Sequence, residues 1–358
     1  SLTATQTVAE GGQILYTATL TSAAQSAVTV TLSNGQTITI AANQMSGSVA
    51  AAAPGNDPHV DAGPVSAHIT NASGGNFENL AVTGTPAATN VTDTVDTSTV
   101  SLTATPSVAE GGTIVYTATV TAPVTGSAVV VTLANGQSIT IPVGQSSGTA
   151  TAAVSNDVYQ GHPAVNNSIS NVSGGNYENL VADKSQVSTS VTDVTDTTTV
   201  TLTATPSVTE GGTILYTATV GAPVTGSPVT VSLANGQTIT IAVGQSSGTA
   251  TGAVSNDVYQ GHAAVTNNIT SVSGGNYENL VANQAPVSTS VTDVQDTTTV
   301  SLSATPRVAA AWPIAYTPTL TNAPPSPSTA TLLTRHPITH AAPHPSSHLA
   351  TPTTGAYP

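Results

Sequence analysis

The sequence repeats itself every 100 residues, and that period limits the fold more than any other feature. "SLTATPSVAEGGTIVYTATV" from Ser101 returns as "TLTATPSVTEGGTILYTATV" from Thr201, and stands at Ser1 as "SLTATQTVAEGGQILYTATL". Residues 101–200 and 201–300 agree at 80 of 100 positions. Periods of roughly 20–50 residues mark solenoids, whereas 100 residues is enough for one small domain with its own core. The 358 residues therefore divide into repeat 1 (1–97), repeat 2 (98–197), repeat 3 (198–297) and a truncated, degenerate repeat 4 (298–358). The chain starts on a repeat boundary and stops inside a repeat, which predicts a fragment of something longer.

Each repeat reads as all-β. In "TIVYTATV", Ile114, Tyr116, Ala118 and Val120 share one face, the alternation of a half-buried strand. "AVVVTLANGQSITIPV" is two such runs around Asn135-Gly136, a strong hairpin signal. "TVSLTATPSV", "TATAAV", "VNNSISNV" and "QVSTSVT" bring the predicted strands to about seven in each unit, which suits an immunoglobulin-like β-sandwich. The fold expected is a tandem array of seven-stranded sandwiches, with Thr and Ser making the outer faces polar without charge.

Charge is scarce, at 6% of residues, and one-sided: 17 acids against three bases, net −14. That balance argues against binding nucleic acid or an anionic membrane, both of which need Lys and Arg, and allows a cationic partner. No run of about 18 apolar residues offers a membrane span. There is no cysteine, so neither disulfides nor thiolate metal sites arise.

The acids keep register with the repeat. They fall at Glu10, Asp57, Glu78, Asp93 and Asp96; at Glu110, Asp157, Glu178, Asp193 and Asp196; and at Glu210, Asp257, Glu278, Asp293 and Asp296. Repeat 1 has diverged most, with "DPHVDAGPV" against "DVYQGHPAV", yet retains all five. Strand parity puts the "AEGG" turn, the "SNDVY" turn and the D-x-x-D string at one end of a sandwich. It puts the "GGNYENL" turn at the facing end of the next. The five acids are thus expected to meet at each junction between repeats.

Carboxylates gathered without Lys or Arg repel one another, and a hard cation relieves that. Ca²⁺ takes six to eight oxygens from carboxylates, Asn side chains and backbone carbonyls; Mg²⁺ keeps its water, and Zn²⁺ prefers His or Cys. Ca²⁺ is the expected ion, with Asn156 and Asn256 available to complete the shell. The competing reading is that these acids only cap turns and keep the surface soluble.

"VAEGGTIVYTATV", "VTLANGQSITIPVGQSSGTA", "SGGNYENL" and "VTDVTDTTTVSL" together resemble the tandem repeats of the LapA-type giant RTX biofilm adhesins of Gram-negative bacteria. The resemblance covers residues 1 to about 306. It implies immunoglobulin-like extender domains, calcium at the junctions, type I secretion, and an extracellular place on the bacterial cell surface. Their partners would be neighbouring repeats of the same chain, with surface or polysaccharide ligands held by other modules. No Gly-Gly-x-Gly-x-Asp array occurs in this sequence, and "SGGNYENL" reads only as a turn.

Residues 301–358 lose the pattern: Ala310 replaces the glutamate, Ala311-Trp312 the glycine pair and Thr334-Arg335 the hairpin Asn-Gly, while 11 of the 23 prolines gather there. His336, His340, His344 and His348 recur every four residues, but Pro337, Pro343 and Pro345 forbid the helix that would align them. His162 and His262 read as turn residues. No cofactor motif or catalytic constellation recurs, so an enzyme is not expected. The alternative function is direct binding of a glycan or solid surface through flat Thr- and Asn-rich faces.

Overall fold

The computed structural model describes residues 1–306, 314–326 and 328–332. Ala310, Ala311-Trp312, Thr334-Arg335 and the four spaced histidines lie outside the described residues. Among the described residues there is no helix; repeats 2 and 3 share one strand pattern, and repeat 1 shows it without the strand that Asn179–Ala182 and Asn279–Ala282 form. The chain forms two compact units, residues 1–194 and 195–358, so the junction of repeats 1 and 2 lies within the first.

Repeat 2 shows the architecture. Thr113–Val120 pairs antiparallel with Ser147–Ala153 on one side and Thr97–Ala104 on the other. Opposite lies Ser138–Ile141 beside Val129–Leu133, which in turn pairs with Ile169–Ser173. The chain just before, Val165–Asn167, pairs antiparallel with Val187–Thr192, and Ser107–Ala109 runs parallel to that same strand. The first predicted strand therefore serves both layers. It breaks at Thr105-Pro106, where proline has no amide to donate, and repeat 1 breaks at the same place with Gln6, so the break belongs to the crossing between layers and not to proline alone.

Alternation fixes which side chains face inward. Ile114, Tyr116 and Ala118 from one layer meet Val129, Val131, Leu133, Ile139 and Ile141 from the other in one core. Thr113, Thr119, Ser147 and Thr149 face solvent. Repeat 1 has its own core around Ile14, Tyr16, Val28 and Ile38, and in repeat 3 the corresponding Ile214, Tyr216, Val229 and Ile239 are buried. In repeat 4, Val300–Ala304 pairs with Tyr316–Leu320.

All seven runs read from the sequence are strands, with two refinements. The hairpin at Asn135-Gly136 closes by Leu133 N–H donating to Gln137 O at 2.8 Å, leaving a three-residue loop. Only Gly136, φ 84°, is left-handed there, so the loop belongs to the longer hairpin class rather than the two-residue one. "SGGNYENL" is more than a turn. Gly174, φ 89°, makes the bend where a Cβ would strike Ala128 O, and Asn179–Ala182 then forms a further strand parallel to Thr97–Val100. That strand carries Glu178 at its entrance.

Candidate metal centre

Repeats 1, 2 and 3 each bury one glutamate in the tight turn after the second short strand. Glu10, Glu110 and Glu210 are only 4–6% exposed. Their carboxylates cap the linker that leaves the same repeat. Glu10 Oε1 accepts Thr94 N–H at 2.9 Å, Glu110 Oε1 accepts Val194 N–H at 2.7 Å, and Glu210 Oε1 accepts Val294 N–H at 2.6 Å. In repeats 2 and 3 the second oxygen takes the amides of Asp157 and Asp257, each at 3.2 Å. Amides donating to a buried carboxylate offset part of the cost of burying it.

The remaining acids are tethered around these glutamates. Asp93 Oδ1 accepts Ala62 N–H at 2.9 Å, while Asp193 Oδ2 and Asp293 Oδ2 accept Gly161 and Gly261 N–H at the same length. Asp57, Asp157 and Asp257 turn one oxygen back on their own loops, to the amides of His59, Tyr159 and Tyr259 at 2.7–2.8 Å. Asp96 and Asp296 accept the side-chain amides of Asn56 and Asn256 at 2.5 and 2.9 Å. Glu178 Oε2 accepts Asp96 N–H at 2.6 Å, and Glu278 Oε2 accepts Asp196 N–H at 2.6 Å.

At the first junction Glu10, Asp93 and Glu178 each bring a ligand oxygen within 4.8 Å of the others. Glu178 Oε1 is shielded from water and has no hydrogen-bond partner. The glutamate of one repeat thus reaches the acids of the repeat before it, as strand parity required. Glu78 is exposed and Asp57 caps its loop from an exposed position, so neither is drawn into this trio. Asn56 and Asn256 donate to Asp96 and Asp296 through their amide nitrogens.

Sequence reasoning missed the histidines. His162 Nε2 lies 2.7 Å from Glu110 Oε2 and 3.8 Å from Asp193 Oδ1; His262 Nε2 lies 2.6 Å from Glu210 Oε2 and 3.6 Å from Asp293 Oδ1. Both sit in loops, and their rings enter the acid clusters. Repeat 1 has Ala62 at this position, so its cluster is carboxylate alone. The usable signal was the register of His162 and His262 beside Asp157 and Asp257.

The Val294 amide, followed by the Asp257 amide, holds the Glu210 carboxyl below its ordinary value of 4.5, with His262 acting in the same direction and burial opposing. A lowered folded value stabilises the fold above the unfolded value, and that contribution disappears as pH falls through the lowered one. In chelator, melting of repeat 3 is expected to hold steady from about pH 7 to about pH 5 and then fall. Glu210→Gln should flatten that acid slope; calorimetry across the range checks it.

The family profile described as the LapA domain matches residues 1–94, 96–194 and 196–294. The chain belongs to the LapA domain family. The three matches follow the 100-residue period, so each buried glutamate and its capped linker lie within one LapA domain, while Glu178 comes from the next. No curated protein matches the chain. Among solved structures, a crystal structure of a tetra-tandem repeat in the extending region of a large adhesion protein is 18% identical. It covers 84% of this chain and 76% of its own, with a TM-score of 0.31. The native E. coli alpha-2-macroglobulin is 10% identical, covering 85% of this chain and 24% of its own at a TM-score of 0.22. A marsupial T cell receptor is 12% identical, covering 76% and 96% at a TM-score of 0.20. No helix of the described residues is long and apolar enough to cross a membrane.

Proposed function

We propose that this chain is an extender segment of a large bacterial surface adhesin, and that Ca²⁺ held between successive LapA domains stiffens it. Its role is structural rather than catalytic: secreted by a type I system, many such domains hold a binding tip away from the cell for attachment and biofilm growth. Membership of the LapA domain family supports the adhesin role. The observation that carries the calcium reading is Glu178 Oε1, a buried carboxylate oxygen without a partner, beside Glu10 and Asp93. A buried charged oxygen left without a donor is costly, and a hard cation would satisfy it together with its neighbours.

Glu10, Asp93 and Glu178 would hold the ion at the first junction, with Asp57 and Asp96 at its margin. Bound there, Ca²⁺ would neutralise the carboxylates and tie the linker of one repeat to the next. Glu110, Asp157 and Asp193, and Glu210, Asp257 and Asp293, offer the same acids with a histidine added. Asp196, Asp296 and Glu278 complete the recurring set.

Small-angle scattering and thermal unfolding of the chain, with calcium and with chelator, test this. Calcium should lengthen and stiffen the particle and raise its melting temperature, and Asp93→Asn with Asp96→Asn should remove much of the effect at the first junction. Unchanged shape and melting on chelation would leave the acids as turn caps. Direct glycan or surface binding by the Thr-rich faces would then become the better reading.

A further inference from the structure

Next to the carboxylates of the first junction, a second set of contacts joins repeats 1 and 2 through main chain and side chain alone. His59 of repeat 1 and Tyr177 of repeat 2 form an isolated antiparallel β-bridge. Val60 N–H donates to Asn176 O at 2.9 Å, and Glu178 N–H donates to Pro58 O at 3.1 Å. The Asn176 side-chain amide donates to Val60 O at 2.8 Å. The His59 and Tyr177 rings stack with centroids 5.0 Å apart.

The two rings are anchored at their far ends on one loop of repeat 2. Tyr177 Oη donates to Ala122 O at 2.7 Å, and His59 Nε2 lies 3.0 Å from Pro123 O. His59 Nδ1 lies 3.1 Å from Asp57 Oδ1, which also accepts the His59 amide. The His59 ring therefore bridges its own loop to a carbonyl of the next repeat. In the second unit the phenol of Tyr259, at the same register as His59, donates to Ala323 O of repeat 4. Two different side chains at one repeat position thus reach the same place on the following domain.

We infer that Pro58–Val60 and Asn176–Glu178 form an ion-independent latch between repeats 1 and 2, with His59 as the positioning residue that presents the Glu178 carboxylate to Glu10 and Asp93. The chemistry is direct. The bridge anchors the amide of Glu178 to Pro58 O, one residue from the stacked Tyr177, so the same residue that closes the bridge carries the carboxylate. With the backbone of Glu178 fixed before any ion arrives, less ordering remains when one binds. The latch itself stands on the contacts above. Only its effect on the cation site rests on the calcium reading.

The chain has no cysteine, so Thr29→Cys and Val130→Cys, at exposed strand positions of repeats 1 and 2, give a unique pair for spin labels. In chelator, the distance distribution between the labels should be narrow in the parent chain and broad in His59→Ala. His59→Tyr restores the aromatic ring that repeats 2 and 3 carry as Tyr159 and Tyr259, and should narrow it again. Calcium titration should show affinity at the first junction reduced by about three- to tenfold in His59→Ala and recovered in His59→Tyr.

An equally narrow distribution in His59→Ala, or a broad one in the chelated parent, overturns the latch. A calcium affinity untouched by His59→Ala, alongside a broadened distribution, overturns the positioning role. If no variant or parent binds calcium, the proposed function fails, while the spin-label comparison in chelator still decides the latch.

Discussion

Glu10→Gln is expected to change the stability of repeat 1 in opposite directions with and without calcium. Glu10 is buried, and its Oε1 accepts both the amide and the hydroxyl of Thr94, at 2.9 and 3.1 Å. Glutamine keeps that oxygen, so the linker stays capped. The negative charge is what goes. The trio has ligand oxygens within 4.8 Å of one another. Two unit charges at that distance repel by about 1–3 kcal/mol per pair, depending on how far water screens them. The variant should therefore melt higher than the parent in chelator.

At the proposed calcium site the same substitution would remove a charged ligand. Affinity at the first junction should fall about tenfold or more, equivalent to about 1.4 kcal/mol or more, and the variant should melt lower than the parent. Calorimetry of both chains in both conditions reads the crossover directly. A shift of one sign in both conditions would show that Glu10 acts as a cap and nothing else.

Tyr116→Ala should have the largest effect on the fold. The ring is 1% exposed and lies between the two layers among Ile114, Val131 and Ile139. Emptying a site of this size costs about 3–5 kcal/mol. For a domain of about 100 residues that is a fall of roughly 12 °C or more in its melting temperature. The core of repeat 1 is built from its own residues, so only the transition of repeat 2 should move. The hydroxyl of Tyr116 is buried without a hydrogen-bond partner. Tyr116→Phe should accordingly be neutral or mildly stabilising, since it removes an unsatisfied group and leaves the packing. A uniform fall across all repeats, or a large loss in the Phe variant, would contradict this account.

The strands were legible because a half-buried strand writes its two faces into alternate letters, as Thr113–Val120 does. Tyr116 was legible as core for the same reason. The meeting of acids from successive repeats was legible through parity alone: an even number of crossings separates Glu110 from Asp193, and the turn holding Glu178 opens toward the previous domain. Asn179–Ala182 escaped because four residues are too few to show a period, and its parallel partner Thr97–Val100 lies about 80 residues away. His162 escaped for a different reason. Its surroundings, "YQGHPA", carry every mark of a loop, and nothing local says that the ring turns inward to Glu110. Side-chain direction in a loop is set by tertiary contacts such as Gly161 N–H to Asp193, which sequence spacing does not encode.

The parallel pairing of Ser107–Ala109 with Val187–Thr192 bears on what happens when such a domain is pulled by its two ends. One strand lies near the start of the repeat and the other near its finish, and they run in the same direction. Tension along the chain therefore tries to slide them past each other instead of peeling them apart. The bonds from Ser190 N–H to Pro106 O and from Glu110 N–H to Thr192 O, each 3.0 Å, are loaded together rather than in turn. A zipper opens one tooth at a time, whereas this arrangement yields only when the whole row fails at once. Resistance to a pull on the two ends then resides at the seam between first and last strand, beside the turn that buries Glu110.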